Sequence, residues 1–529
     1  MQTQTAVTKY FVFIFLALFA ITQLPLYWVE YPDIVDFPNH LARLHILINL
    51  SVSETLQQYY ALRHLKVGTN LAMEVLVPLL AKGVSLMLAL KIFASLAMLL
   101  VTSGAVALGR VISGQVSYLL LGVLFFAQNA MFQMGLLNYL FGLGLAFWLL
   151  SAWIYTRNNS SLSHWIAFSA GCVLVYLCHL SAFGVYAVCV LGYELGRARF
   201  ETGFISRSTL KVLLLSLVQF VPVLMLHALV STSAGVYAPI PLESSWLKAT
   251  FVWIVYKATL LLILPSICVS GYLMGQLIFG CFLVFALYIG FRERLLKLSA
   301  PVKWMASALA VCILLLPDAG FGSRLLDVRL IPALGLILWS GLQFSPGVRV
   351  KPETLLSMIA VIVLLISLET TREWAVRDDE YRHVRTALQQ IPEGSKVATV
   401  ILNKPKNTDF ISPHAGAFSV IDRSALLSNM FIWPFQPFWV AYREHYVSLV
   451  MLGRLENPVT SPPEYGGIKK VYDYVLIYGG DDIDRMQYSQ NAEALFSSAS
   501  LSLVRTKFSQ PAKMNVTGGD SSLEYKNAM

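Results

Sequence analysis

Charge is scarce in this chain. Only 13% of its 529 residues are Asp, Glu, Lys or Arg, about half the roughly 25% of a soluble domain. That shortage excludes an ordinary cytosolic enzyme, a nucleic-acid binder and a disordered chain. Cysteine is sparse too. All six, Cys172, Cys178, Cys189, Cys268, Cys281 and Cys312, lie in apolar runs, none follows residue 370, and no CxxC pair exists. No disulfide framework is expected, and the thiols read as small buried hydrophobes. Internal repeats and low-complexity segments are absent. What is abundant is apolar surface: 57% of the residues are hydrophobic. These are the marks of a polytopic α-helical membrane protein. Its net charge of +9 then reflects cationic loops beside anionic lipid headgroups rather than a nucleic-acid partner.

A crossing helix needs about 20 apolar residues. The first run, 10–29, follows Lys9 and lacks a small-x-small cleavage site, so it reads as an uncleaved signal anchor with its N-terminus inside. Further spans are expected near 85–109, 116–133, 139–156, 163–180, 182–196, 211–230, 266–291, 303–317, 328–344 and 354–370, about eleven in all. The basic residues check the count. Arg110, Arg157, the Arg197/Arg199/Arg207/Lys211 group, Arg292/Arg294/Lys297/Lys303 and Arg349/Lys351 then fall on one side, the inside. Segment 71–84, with Glu74, Pro78 and Lys82, reads as a short half-buried or interfacial helix. Segment 249–264, with Lys257 and a terminal Pro265, reads as a re-entrant or interfacial helix facing out.

Composition changes at residue 371. Arg372, Glu373, Arg377, Asp378, Asp379, Glu380, Arg382 and Arg385 mark a solvated helix, and β-like runs follow at 396–402, 472–478 and 501–508. The chain therefore divides into a transmembrane part, 1–370, with a first outside loop at 30–70, and a small C-terminal α/β extracytoplasmic domain, 371–529.

Polar chemistry concentrates on the outside. In the first loop Asp33 and Asp36 precede an amphipathic helical pattern carrying His40 and Arg43. One carboxylate can serve as general base for a hydroxyl acceptor. Asp33, Asp36 and His40 could also hold a divalent metal, Mg or Mn. Asp36, just ahead of Pro38, could instead cap the helix. Asn138 and His179 lie at outside turns. A later outside loop, 317–329, carries Arg324, Asp327 and Arg329 beside Gly320 and Gly322, a combination suited to a phosphate or pyrophosphate, with Lys248 and Lys257 adding positive charge. The aromatic stretch 431–439 suits packing against the membrane interface, or a sugar or polyprenyl groove.

A first span, an acidic outside loop with a juxtamembrane helix, many further spans and an extracytoplasmic C-terminal domain together resemble the GT-C glycosyltransferase superfamily. Within it, the layout is similar to bacterial lipid-linked sugar transferases of the aminoarabinose-transferase and protein O-mannosyltransferase types. Many members carry adjacent acids, whereas Asp33 and Asp36 are separated by two residues, and the Trp-Trp-Asp-Tyr-Gly motif of oligosaccharyltransferases is absent. The resemblance implies a glycosyltransferase that inverts configuration as it moves a sugar from a polyprenyl phosphate or pyrophosphate to a hydroxyl of a glycan, lipid or protein. The first-loop acid, Asp33 or Asp36, would be the base, and Arg324 and Arg329 would hold the donor phosphate. The resemblance, with no eukaryotic-type retention signal at 525–529, implies a bacterial inner membrane. The rival classes are a transporter or flippase of a lipid-linked glycan, an O-antigen ligase or polymerase, and a non-catalytic scaffold. A transporter would favour mid-span charges and repeat symmetry. A ligase would carry its large loop between late spans.

Overall fold

The computed structural model describes the chain except residues 1, 64–67, 159–160, 203–212, 232–245, 272, 319–324, 403–413, 433–437, 453, 456–467, 469, 479–491, 499–500 and 507–529. It is mostly helical. In chain order the helices used below are α1 (Gln2–Thr22), α2 (Leu24–Trp28), α3 (Phe37–Asn49), α4 (Glu54–Tyr59), α5 (Ala72–Leu80), α6 (Leu86–Ser113), α7 (Ala130–Gln133), α8 (Leu137–Thr156), α9 (Leu162–Cys178), α10 (Leu180–Thr202), α11 (Val221–Ser231), α12 (Trp246–Cys268), α13 (Leu273–Arg292), α14 (Ala300–Leu315), α15 (Leu330–Ser340) and α16 (Pro352–Leu388). Among the described residues five helical stretches are long and apolar enough to cross a membrane: Leu86–Ser113, Leu137–Thr156, Phe251–Cys268, Met274–Arg292 and Pro352–Leu388. Shorter apolar helices, including Leu162–Cys178 and Ala300–Leu315, pack among them.

Three elements differ from the sequence expectation. The run at 116–133 is not one α-helix: Tyr118–Phe126 is a 3-10 helix, and α7 follows after Asn129, whose Oδ1 accepts from the backbone N–H of Met131 at 2.9 Å and so starts a new helix. The segment 249–264 belongs to the unbroken helix α12, which continues three residues past Pro265. The chain breaks instead at Gly271, whose φ of +134° suits glycine, and the span expected from 266 begins at Leu273. Finally, the boundary expected at 370/371 falls inside α16, a single helix of 37 residues and therefore about 55 Å long.

Contacts define two ends of the bundle. At one end, Ser340 Oγ donates to Ala105 O, Ser299 N donates to Gly341 O at 3.0 Å, and strand β2 (Leu296–Leu298) pairs with β3 (Leu342–Phe344). Arg110 closes α6 at this end. At the other end the first loop meets the turn at 133–135: Val35 N donates to Gln133 O at 2.9 Å. The middle of α12 reaches this second end, because Lys257 Nζ bonds Ile313 O, Leu316 O and Asp327.

Beyond α16 the strands form one mixed sheet. β4 (Lys396–Ile401) lies parallel to β5 (Leu426–Leu427) and β7 (Tyr474–Tyr478), and β9 (Leu501–Thr506) runs antiparallel to both β7 and β8 (Ala492–Ser497). A separate ladder joins the first loop to this region: β1 (Tyr60–Leu62) pairs antiparallel with β6 (Val440–Tyr442). Arg385 and Asp422 form an ion pair that fastens α16 to the same unit. The sheet is thereby fixed over the first loop from two directions.

Candidate functional site

The two first-loop aspartates have separate surroundings. Asp33 turns to α16, where Arg377 Nε lies 3.2 Å from its carboxylate and the Tyr381 hydroxyl donates to it at 3.3 Å. It ties the loop to the long helix. Asp36 sits at the N-cap position of α3, yet its carboxylate makes no capping hydrogen bond. The capping role considered for it is not what the structure contains. The reason is local: Asp36 has φ −89° and ψ 0°, not the extended backbone of a capping residue, and Pro38 in the first turn has no N–H to offer. The Asp36 carboxylate is thus left to other chemistry.

Asp36 is held by its backbone. Its N–H donates to Met134 O at 3.3 Å, and its carbonyl accepts from His40 N at 2.9 Å. Gly135 permits this approach. Its φ is +89°, and a Cβ there would stand 2.7 Å from the Asp36 Cβ. Gly135→Ala is therefore expected to cost about 1–2 kcal/mol in backbone strain, and to displace Asp36. Its activity loss, about 100-fold for a displacement near 1 Å, should exceed the loss of folded protein seen by size-exclusion chromatography. Equal losses would contradict this placement.

Burial pushes the Asp36 carboxyl up to about 7, with Arg43 and Arg329 pulling the other way. His40 donates from Nε2 to Gly135 O at 2.8 Å. Burial and then Arg43 push its pKa down to about 3, so its ring is neutral and Nδ1 carries the lone pair. His414, from the sheet unit, places Nε2 3.7 Å from Asp36 Oδ1 and meets Phe431 edge to face with ring centroids 4.5 Å apart.

Arg43 and Glu74 form a buried ion pair at 3.1 Å, with side chains 1% and 0% exposed. The guanidinium also lies 3.8 Å from the centroid of the Phe438 ring. Glu74 enters from the short helix α5. Its carboxyl is pushed up to about 7 by burial, opposed first by Arg43.

Arg329 precedes α15 and is 6% exposed. Its carbonyl accepts from the Tyr139 hydroxyl, and its Nη1 lies 3.2 Å from His179 Nε2. On its other side the ring is held by Ser181, whose backbone N lies 3.0 Å from His179 Nδ1. Burial, then Arg329, holds His179 well below its ordinary pKa, so the ring is neutral. The Arg329 guanidinium, a donor that keeps its charge, is thereby fixed at this end of the bundle, a group matched by an anionic oxygen.

The other expected residues divide. Asn138 is structural: its Oδ1 accepts from Met73 N at 2.8 Å and its Nδ2 donates to Asn70 O at 2.9 Å. Asp327 is fully buried and pairs with Lys257, accepting also from the Tyr256 hydroxyl at 3.1 Å. That pair braces the loop ahead of Arg329. Arg324, Gly320, Gly322 and residues 433–437 of the aromatic stretch lie outside the described residues, as does the side chain of Lys248. Asp33, Asp36 and His40 do not assemble one ligand set: Asp33 is engaged by Arg377 and His40 Nε2 by Gly135. Among the described residues no group of three His, Cys, Asp or Glu side chains is placed to hold a metal ion.

Sequence reasoning did not include Glu74 or His414 among the site residues. Glu74 carried a signal, a carboxylate inside the apolar run 72–80. His414 carried none, since only the fold of the sheet unit brings it to Asp36. No protein-family model matches the chain, and no curated protein matches it either.

Proposed function

We propose that the chain is a membrane glycosyltransferase that moves a sugar from a polyprenyl phosphate or pyrophosphate to a hydroxyl acceptor, in the manner of the GT-C layout it resembles. The observation that carries this reading is the pairing of charges at one end of an apolar bundle. There Asp36, a carboxylate without a capping bond, lies within the field of Arg43 and Arg329. A base and an anion-binding group are thus offered together at the level where a lipid phosphate would lie.

In this reading Asp36 takes the proton of the acceptor hydroxyl. The acceptor oxygen bonds to the anomeric carbon from the face opposite the phosphate, and the carbon–oxygen bond to phosphate breaks, inverting configuration. The electron pair leaves on the lipid phosphate, which Arg329, held by His179, stabilises as its charge develops. An apolar groove of about 190 Å³ between α12, α13 and α15, lined by Leu264, Leu283, Gly335 and Trp339 among others, offers a path for the lipid chain. The placement of Arg110 at the end opposite Asp36, with Arg292, Arg294 and Lys297 in or next to the β2 segment at that same end, supports an extracytoplasmic Asp36 end in a bacterial inner membrane. The sheet unit, with strands in the regions expected, would then be the C-terminal α/β domain over the acceptor path, above about eleven spans.

Two outcomes follow. Asp36 acts when deprotonated, so kcat/KM should rise with pH through about 7 and fall tenfold per unit below it. A profile flat from pH 5.5 to 8.5 would remove Asp36 as the base. Arg329→Gln should lower kcat by about 10²–10³ with folded protein retained. An unchanged kcat would take the phosphate away from this group. Measuring turnover with and without EDTA tests a metal separately.

A further inference from the structure

A second groove lies at the Arg110 end, apart from Asp36 and Arg329. It opens between α1, α6 and α8, has a volume of about 680 Å³, and is walled by apolar side chains such as Phe11, Phe15, Leu99 and Trp148. On the α1 side Phe11 stacks on Tyr118, with ring centroids 6.4 Å apart. Polar groups in the wall are satisfied within it: Trp148 Nε1 donates to Ser103 Oγ at 3.1 Å, and Ser151 Oγ to Phe147 O at 2.7 Å. At the mouth stands Arg110, exposed, in the last turn of α6. Among the described residues the Arg110 guanidinium shows no hydrogen bond or ion pair, and no carboxylate lines the groove.

Size and charge together specify an occupant. From Leu99 to Arg110 the groove runs along about 16 Å of helix. One leaflet offers about 15 Å of hydrocarbon, half of the roughly 30 Å core. A chain seated against Leu99 would therefore bring its headgroup to Arg110. We propose that this groove is a binding site for one anionic phospholipid of the leaflet at the Arg110 end, its acyl chain between α1, α6 and α8 and its phosphate on the Arg110 guanidinium. A zwitterionic lipid fits the walls equally and lacks the net charge that Arg110 selects.

The test uses the full chain in mild detergent with equal amounts of phosphatidylglycerol and phosphatidylcholine, read by native mass spectrometry. The wild type should retain one phosphatidylglycerol per chain, with about fivefold preference over phosphatidylcholine. Arg110→Gln should lose that preference while retaining some lipid of either kind. Ala107→Phe, which fills the groove from its wall, should lower retention of both. Should Ala107→Phe fail to fold, Arg110→Gln still decides. Equal retention of the two lipids by the wild type, or an undiminished preference in Arg110→Gln, would overturn the site.

Discussion

Asp36→Asn should lower sugar transfer by about 10²–10⁴-fold, the range for loss of a general base, with the fold intact. Asp33→Asn should do the opposite, loosening the fold while leaving the chemical step near the wild-type rate. The two residues are three apart, yet their surroundings differ in kind. Asp33 is bound to Arg377 and Tyr381 on α16, so its loss takes from a 5%-exposed guanidinium one of its two carboxylates, Glu373 being the other. That cost belongs to stability. Asp36 makes no capping bond and faces His414 at 3.7 Å. Asparagine keeps its shape and removes its capacity to take a proton. The measurement pairs single-turnover transfer with thermal unfolding for both variants. If Asp33→Asn lost the chemistry and Asp36→Asn kept it, the assignment would be reversed.

The second large effect is on stability. Glu74→Ala should destabilise the protein by about 3–5 kcal/mol, because it leaves Arg43 charged and buried without its partner. A guanidinium cannot escape by losing its proton. Arg43→Ala leaves a carboxylate, which can. Burial already raises the Glu74 carboxyl from 4.5 in the unfolded chain to about 7 in the folded one, and removing Arg43 raises it further. A raised carboxyl pKa means that the folded state binds the proton more tightly. Stability is therefore lost as pH rises above about 4.5, until the folded-state pKa is passed. Arg43→Ala should thus be milder at pH 6 than at pH 8, whereas Glu74→Ala should be the more severe at pH 6, where the wild type still keeps the stability of its raised carboxyl. Thermal unfolding in detergent at the two pH values separates them. A pH-independent Arg43→Ala would show that Glu74 does not titrate in this range.

What could be read without the structure was whatever depends on local pattern. Apolar length marked helices such as Leu86–Ser113 and Leu137–Thr156, and the amphipathic spacing of Leu41, Leu44 and Ile48 marked α3. The strand runs near 396, 472 and 501 were visible for the same reason. Breaks were harder. Pro265 reads as a stop, but near the end of a helix it removes little, and α12 passes through it. The charge run after 371 reads as a boundary, but α16 carries the same backbone ladder from apolar into polar surroundings. At the site, the sequence narrowed the base to two aspartates and could not choose. The choice rests on Arg377, Tyr381 and His414, which are brought to the loop only by tertiary packing. Asn138 and Asp327 looked chemical because they are polar beside apolar spans. Their hydrogen bonds to Met73 and Asn70, and the ion pair to Lys257, assign them to the scaffold.

The most direct test of the transferase reading is release of lipid phosphate by purified, reconstituted protein. A panel of polyprenyl-phosphate and polyprenyl-pyrophosphate sugars is offered with hydroxyl acceptors, comparing the wild type with Asp36→Asn. Release of the lipid phosphate by the wild type, with the sugar appearing on the acceptor in inverted configuration and loss of both in Asp36→Asn, is the expected result. No turnover with any donor, together with movement of a lipid-linked glycan across the vesicle membrane, would contradict it and make the protein a transporter.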